Sequence, residues 1–182
     1  MNRIHVGQVI GRKTLVDTDS RPVPIPDGSR LVHLQFRRFA GCPFCSVHLH
    51  SFVRRHDDIT AANIREVVVF RSTLTALQRH HGGVPFDIVA DPGGSLYTDF
   101  GVGSGPGALL NPRVLFLALP NVLRMLPGLP GLPSSGESAL GLPADFLIAT
   151  DGKVRACKYG THADDQWSVD ELLAHAHDRG AP

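Results

Sequence analysis

Cysteine, tryptophan, tyrosine and methionine are all scarce in this chain: three, one, two and two among 182 residues. So few cysteines, and an odd number of them, exclude the disulfide scaffold of small secreted proteins. The formal net charge is only +1 at pH 7, so no nucleic acid or anionic membrane is indicated as a partner. Tyr159 and Trp167 are too few aromatic side chains to form a platform for a stacked ligand.

A long apolar run is also missing. Residues 1–13 lack the apolar core of about 7–15 residues that a signal peptide requires. The most apolar run, at 114–126, is too short to span a bilayer and is interrupted by Pro120 and Arg124. We therefore expect a cytoplasmic protein without a transmembrane segment, and a length of 182 residues favours a single domain over 1–182.

Strand-like and helix-like patterns alternate along the chain. Cys45, Leu49, Phe52 and Val53 recur at helical spacing and predict one helix. A second helix is predicted to begin at Ser72 as its N-cap and to stop at Gly82. This order predicts an α/β fold with a central mixed sheet flanked by helices, closed by an antiparallel strand pair. The predicted elements are a hairpin at 14–25, strands at 31–36, 66–70, 86–90, 145–149 and 154–160, and helices at 43–57, 72–83 and 168–180.

Residues 101–141 interrupt this alternation. They are rich in proline and glycine around an apolar helical core at 109–126, and we interpret them as a helical insertion. Insertions of this length are often functional lids or mobile segments, but an apolar helix is also ordinary core material. If its apolar surface were exposed, a homodimer would be favoured.

The most informative segment is FRRFAGCPFC, which joins a predicted strand to a predicted helix. Cys42 falls at the helix N-terminus, where unpaired N–H groups and the helix dipole favour a thiolate. Pro43 suits the first helical turn, and it stands with Phe44 between the two cysteines. We expect Cys42 to be the nucleophile and Cys45, one turn later, to resolve the product as a disulfide.

Several basic side chains are close to this pair in sequence. Arg38 or Arg54 could add positive charge beside the thiolate. Strand alternation, however, sends Arg37 and Arg38 to opposite faces, so a solvated surface position is favoured for each arginine. His48 and His50 could assist proton transfer, although lone helix histidines are rarely catalytic.

A metal site is the structural alternative. Cys42, Cys45, His48 and His50 could supply four zinc ligands, but structural zinc takes two ligand pairs separated by a longer loop. The spacing therefore favours a redox pair and no metal. Cys157, in an alternating strand, is expected to be a buried small hydrophobe, with a second resolving thiol as the rival interpretation.

Two motifs about a hundred residues apart resemble the thioredoxin-like superfamily: the CPFC segment and GLPADFLIATDGKV at 141–154. In that superfamily a cis-proline begins a strand facing the active cysteine, and Pro143 takes its position and would help to shape the substrate groove. FRRFAGCPFC, LPADFLIATDGKVRACKYGTHADD and VDELLA are similar to the peroxiredoxin-like branch of the AhpC/TSA family. This resemblance runs from about Val9 to Ala176, without most of the insertion.

The resemblance implies a thioredoxin fold and a thiol enzyme that reduces peroxides through Cys42 and Cys45. A thioredoxin-type external reductant would recycle the pair, and no cofactor is implied. Gln35 and Phe39 stand where peroxiredoxins carry proline and threonine, and Pro143 stands where their arginine falls. The threonine and arginine that orient the peroxide in that family are therefore not found at these positions. Two alternatives therefore stay open: reduction of protein or small-molecule disulfides, and a non-catalytic binding module.

Overall fold

The computed structural model describes residues 2–105 and 140–178. Within these ranges the chain alternates strands and helices, as its sequence pattern predicts. The strands are β1 Lys13–Val16, β2 Pro22–Ile25, β3 Leu31–Arg37, β4 Ile64–Phe70, β5 Asp87–Ala90, β6 Ala144–Ile148 and β7 Val154–Tyr159. The helices are α1 Pro43–Arg54, α2 His56–Ala61, α3 Leu74–His81, α4 Ser95–Asp99 and α5 Val169–His177.

Five strands form a mixed central sheet in the order β5-β4-β3-β6-β7. The three strands β5, β4 and β3 run parallel, whereas β6 and β7 are antiparallel to their neighbours. Strands β1 and β2 make a separate antiparallel hairpin. The α/β class with a mixed sheet is therefore confirmed.

The central strand β3 carries different side chains on its two faces. Val32, Leu34 and Phe36 belong to an apolar cluster with Tyr97 of α4 and Phe146 of β6. The other face is covered by α1, α3 and α5, whose apolar side chains form a second cluster. Because both faces of the sheet are covered, every side chain of β3 beyond Leu31 is buried.

Helix α1 begins immediately after Cys42, which is its N-cap residue, and Pro43 occupies the first turn as expected. Cys45, Leu49 and Phe52 form its buried face. The predicted helix of residues 43–57 is interrupted at Arg55, whose φ of −110° and ψ of 19° are not helical, and α2 follows.

Two other helix ends differ from the expectations. Thr73, not Ser72, caps α3 by accepting a hydrogen bond from the Ala76 N–H group. Ser72 is fully buried instead and accepts a hydrogen bond from the Ala40 N–H group at 2.8 Å. The final helix stops at His177, before the Gly180 that the sequence suggested, while Ser168 begins it with a reciprocal capping box to Glu171.

The predicted helical insertion falls mostly on residues 106–139, outside the described residues. Across 2–105 and 140–178, no helix has both the length and the apolar character that a membrane crossing requires.

Candidate active site

The cysteine pair lies at the carboxyl end of β3, where the chain turns into α1. Cys42 has extended backbone angles (φ −69°, ψ 115°), and its carbonyl accepts the first helical hydrogen bond from the Ser46 N–H group at 3.0 Å. Both Cys42 and Cys45 are free thiols and are buried, with 0% and 1% of their surface exposed. The structure thus places Cys42 at the N-terminus of α1, as the sequence predicts.

The surroundings of Cys42 favour its thiolate. A hydrogen bond from the Cys45 thiol is the largest cause that lowers the pKa of Cys42, and burial opposes it. The Arg38 charge and the N–H groups of Cys45 and Phe44 lower the pKa further, to about 7. The Arg38 Nη1 donates to the Cys42 sulfur at 3.8 Å. A pKa this close to neutral makes the reactive thiolate of Cys42 available at neutral pH.

Cys45 has the opposite electrostatic balance. The hydrogen bond that its thiol donates to Cys42, together with burial, raises the pKa of Cys45 well above its usual value. The Arg38 N–H group and the Arg37 charge act in the other direction but do not offset this. The two cysteines therefore share one proton, which stays on Cys45 and leaves Cys42 as the thiolate.

The arginines are arranged differently from the sequence expectation. Arg37 and Arg38 are 0% and 4% exposed, so the surface position favoured for each was wrong. Arg38 does lie beside Cys42. Arg54 is exposed at the far end of α1, about three helical turns from Cys42, and cannot support the thiolate electrostatically.

The apolar residues named from the sequence lie around the pair. Phe44 is partly buried against the α1-side core. Pro143 is buried and directly precedes β6, whose pairing of Ala144 with Phe36 places it at the same sheet edge as the cysteines. The expected cis bond at Leu142–Pro143 is wrong: this bond is trans, and the cis bond within the described residues is Ile25–Pro26. The Pro143 carbonyl accepts the Gly160 N–H group at 2.9 Å, which extends the β6–β7 pairing through the proline.

Sequence reasoning missed a row of buried charges beneath α1. His33, Gln35 and Arg37 alternate along β3 and are all 0% exposed, beside Glu66 of β4 and Asp145 of β6. The His33 Nδ1 lies 2.9 Å from a Glu66 carboxylate oxygen, and its Nε2 lies 3.3 Å from the Asp145 Oδ1. Arg37 Nη2 then donates to the same Asp145 oxygen at 2.7 Å.

This row alternates in sign: Glu66, His33, Asp145 and Arg37. Burial alone would lower the pKa of His33, but Glu66 and Asp145 outweigh it and raise the pKa to about 9. Burial would likewise raise the pKa of Asp145, yet Arg37 and His33 hold it well below its usual value. His33 is therefore an imidazolium at neutral pH, stacked between Phe52 and Trp167 at 5.6 Å from each ring.

His48 lies at the end of this row, and its protonation state follows from its contact with Arg37. Its Nε2 is 3.1 Å from the Arg37 Nη2, and because a guanidinium only donates, this nitrogen is the acceptor. Burial, followed by the Arg37 charge, lowers the pKa of His48 well below its usual value. A neutral His48 with its acceptor nitrogen already occupied is a poor proton acceptor for Cys45.

The buried imidazolium predicts a pH-dependent stability. The folded pKa of His33, about 9, exceeds the ordinary 6.5, so its contribution is complete below pH 6.5 and is lost as the pH rises through 9. Cys42 contributes with the opposite sign in this window, so the measurement belongs in Cys42→Ser. In Cys42→Ser, the free energy of unfolding measured in urea should fall by on the order of 2–3 kcal/mol as the pH rises from 6.5 to 9. In Cys42→Ser/His33→Gln most of the fall should disappear, leaving only the smaller loss from the raised pKa of Cys45 and of Cys157. A pH-independent value in Cys42→Ser itself would contradict the assignment.

The other candidates have structural roles. The expected burial of Cys157 is wrong: the residue is only partly buried, because it lies on the edge strand β7, and its thiol donates to the Ile4 carbonyl at 3.6 Å. The Asp165 carboxylate accepts hydrogen bonds from the Thr161 N–H and hydroxyl groups and pairs with Lys158, which ties the loop after β7 together. Among residues 2–105 and 140–178, no group of three or more histidine, cysteine or acidic side chains is arranged to hold a metal ion.

In a comparison with protein-family models, one model matches this chain. Residues 51–162 match the model of the AhpC/TSA antioxidant enzyme family, which is more than half of the chain. The match begins within α1 and leaves Cys42 and Cys45 outside it. A sequence search of curated proteins finds no match.

Solved structures show the same fold. The peroxidoxin BcpB from Mycobacterium tuberculosis is similar with a TM-score of 0.67 and 16% identity, over 97% of this chain and 98% of that one. A putative thiol:disulfide interchange protein DsbE from Chlorobium tepidum gives a TM-score of 0.61 and 18% identity, over 95% and 99%. A peroxiredoxin-like protein from Aquifex aeolicus gives 0.66 and 15%, over 98% and 89%. The thioredoxin-like fold implied by the sequence motifs is therefore confirmed.

Proposed function

The chain belongs to the AhpC/TSA antioxidant enzyme family, and from that membership we propose that it is a thiol peroxidase acting through Cys42 and Cys45. The observation that carries the proposal is the shared proton of the pair. Cys42 has a pKa of about 7 at the N-terminus of α1, while the neighbouring Cys45 keeps its proton. One cysteine is thus prepared to attack and the other to resolve.

The chemistry needs no metal or organic group. The Cys42 thiolate attacks one peroxide oxygen, the O–O bond breaks, and the leaving alkoxide or hydroxide takes up a proton. The Cys42 sulfenic acid then condenses with the Cys45 thiol, which forms the disulfide and releases water. An external dithiol of the thioredoxin type returns both electrons, reducing the disulfide by thiol exchange.

A second candidate is reduction of protein or small-molecule disulfides. The observation that favours it is Phe39, which is 3% exposed and belongs to the same core cluster as Cys42. The related peroxidases are expected to carry a peroxide-orienting threonine at that place. Attack of Cys42 on a disulfide would give a mixed disulfide that Cys45 resolves, with the same division of roles.

Stopped-flow oxidation of the reduced protein separates these functions. We expect stoichiometric hydrogen peroxide to form the Cys42–Cys45 disulfide, and Cys45→Ser to retain a sulfenic acid at Cys42 that dimedone traps, read by peptide mass spectrometry. Cys157→Ser is the matched control and should behave as wild type. If a model disulfide oxidises the pair and peroxide does not, the protein is a disulfide reductase. If neither reagent oxidises Cys42, the fold serves as a binding module.

A further inference from the structure

We propose that Arg37 is a positioning residue that stabilises the thiolate of Cys45 during the resolving step. The inference rests on the proposed redox pair and assigns the two adjacent arginines to different sulfurs. Arg38 donates to the Cys42 sulfur at 3.8 Å. Arg37 is directed instead toward the buried face of α1, where Cys45 lies.

The position of Arg37 follows from its contacts. Its Nη2 lies 3.1 Å from the Nε2 of His48, which is three residues beyond Cys45 on α1. Side chains three residues apart on a helix are neighbours, about 5–6 Å between Cβ atoms. The Arg38 N–H group also bonds the Cys45 sulfur, so the end of β3 contacts this cysteine directly. The Arg37 charge is thus on the Cys45 side of α1, fully buried from water.

The row of buried charges holds this guanidinium in place. Besides the bond to Asp145, Arg37 donates to the Gln35 side chain at 2.5 Å and to the Phe36 carbonyl at 3.1 Å. Asp145 is fixed in turn by the Trp167 N–H group at 3.2 Å. Along β3 the row runs from His33, paired with Glu66, to Arg37, so its cationic end is nearest to the cysteines.

A charge at this place serves the second chemical step. In that step the Cys45 thiol loses its proton, its sulfur attacks the Cys42 sulfur, the S–O bond breaks, and the hydroxide that leaves takes up the proton as water. Cys45 needs help to ionise because it is buried, and burial raises its pKa. His48 cannot accept this proton readily, since Arg37 occupies its acceptor nitrogen. A buried positive charge lowers the cost of the thiolate without accepting a proton.

The direct test titrates Cys45 alone. In Cys42→Ser/Cys157→Ser, thiolate absorbance at 240 nm reports Cys45, and adding Arg37→Met should raise its pKa by about one unit or more. Arg37→Lys should retain most of the wild-type value, and Arg54→Met, at the exposed end of α1, should change nothing. Because Arg37→Met leaves Asp145 short of a partner, Arg37→Met/Asp145→Asn provides a second, charge-balanced variant, in which the Cys45 pKa should rise by less because loss of the Asp145 charge offsets part of the effect. An unchanged Cys45 pKa in both variants would overturn the proposal.

A kinetic test separates this inference from the proposed function. In single-turnover oxidation, Arg37→Met should leave the rate of Cys42 oxidation within twofold of wild type and prolong the lifetime of the Cys42 sulfenic acid about tenfold. Arg37→Lys should restore the short lifetime. If peroxide does not oxidise Cys42 in the wild-type protein, the proposed peroxidase function is refuted. The Cys45 titration then tests the role of Arg37 by itself. Equal lifetimes in wild type and Arg37→Met, with Cys42 oxidation intact, would refute the role of Arg37.

Discussion

Replacing Asp145 with alanine should destabilise the folded protein by about 3–5 kcal/mol, because removing one partner leaves buried charges uncompensated. Asp145 is 0% exposed and accepts from Arg37 at 2.7 Å while facing the His33 imidazolium at 3.3 Å. Neither cation can reach water in the native state. The free energy of unfolding from urea titration at pH 7 measures the loss.

An exposed aspartate is the matched control for this change. Asp170 pairs with Arg55 at 2.7 Å, but 82% of its side chain is exposed. Asp170→Ala should therefore cost less than about 1 kcal/mol, although the two ion pairs have the same length. If Asp145→Ala lost no more stability than Asp170→Ala, water would have to reach the Asp145 site, and the buried row of charges would be refuted.

The fold could be predicted because apolar periodicity determines which faces are covered. EVVVF contains three consecutive β-branched valines and lies in the buried strand β4. The i, i+4, i+7 spacing of Cys45, Leu49 and Phe52 gives the buried face of α1. The position of Cys42 also followed from local rules, since a strand, a short loop and a proline at the first helical turn define a helix N-terminus. These are interactions between residues near in sequence.

The buried charges could not be found in the same way. In β3, polar residues at 33, 35 and 37 alternate with apolar ones, which is the usual pattern of a strand with one solvated face. That face is covered here by α1 and α5, and the partners Glu66 and Asp145 come from other strands. The available signal was that two acidic residues lie within largely apolar strands, IREVVVF and ADFLI, where a buried charge requires a partner.

The same reasoning explains why Arg37 and Arg38 were misplaced. Alternation along a strand predicts opposite faces, but it assumes that one face is solvent and that the strand continues. Strand β3 ends at Arg37, so Arg38 belongs to the loop and turns toward Cys42. The face of β3 that carries Arg37 is part of the core rather than exposed to solvent. Both arginines are therefore buried beside the redox pair, and tertiary contacts alone decide this.

Replacing Cys42 with serine should slow oxidation of the protein by on the order of 100-fold or more, because Cys45 cannot take over the first step. Cys42 has a pKa of about 7, so its thiolate is available at pH 7. Burial keeps the pKa of Cys45 above its usual value, so Cys45 stays protonated at pH 7, and the residue is only 1% exposed. Stopped-flow rates with peroxide and with a model disulfide measure the loss.

Cys45→Ser is the comparison that gives this result its meaning. It should retain the first oxidation within a few-fold of wild type, since a serine hydroxyl can donate the hydrogen bond of the lost thiol and Arg38 and the N–H groups at the start of α1 still surround Cys42. The asymmetry between the two serine variants follows from the hydrogen bond that Cys45 donates, from the Arg38 charge and from the helix N-terminus, which stabilise negative charge at Cys42 while burial keeps the proton on Cys45. Equal losses in Cys42→Ser and Cys45→Ser would contradict this division, because a symmetric pair would have no fixed nucleophile.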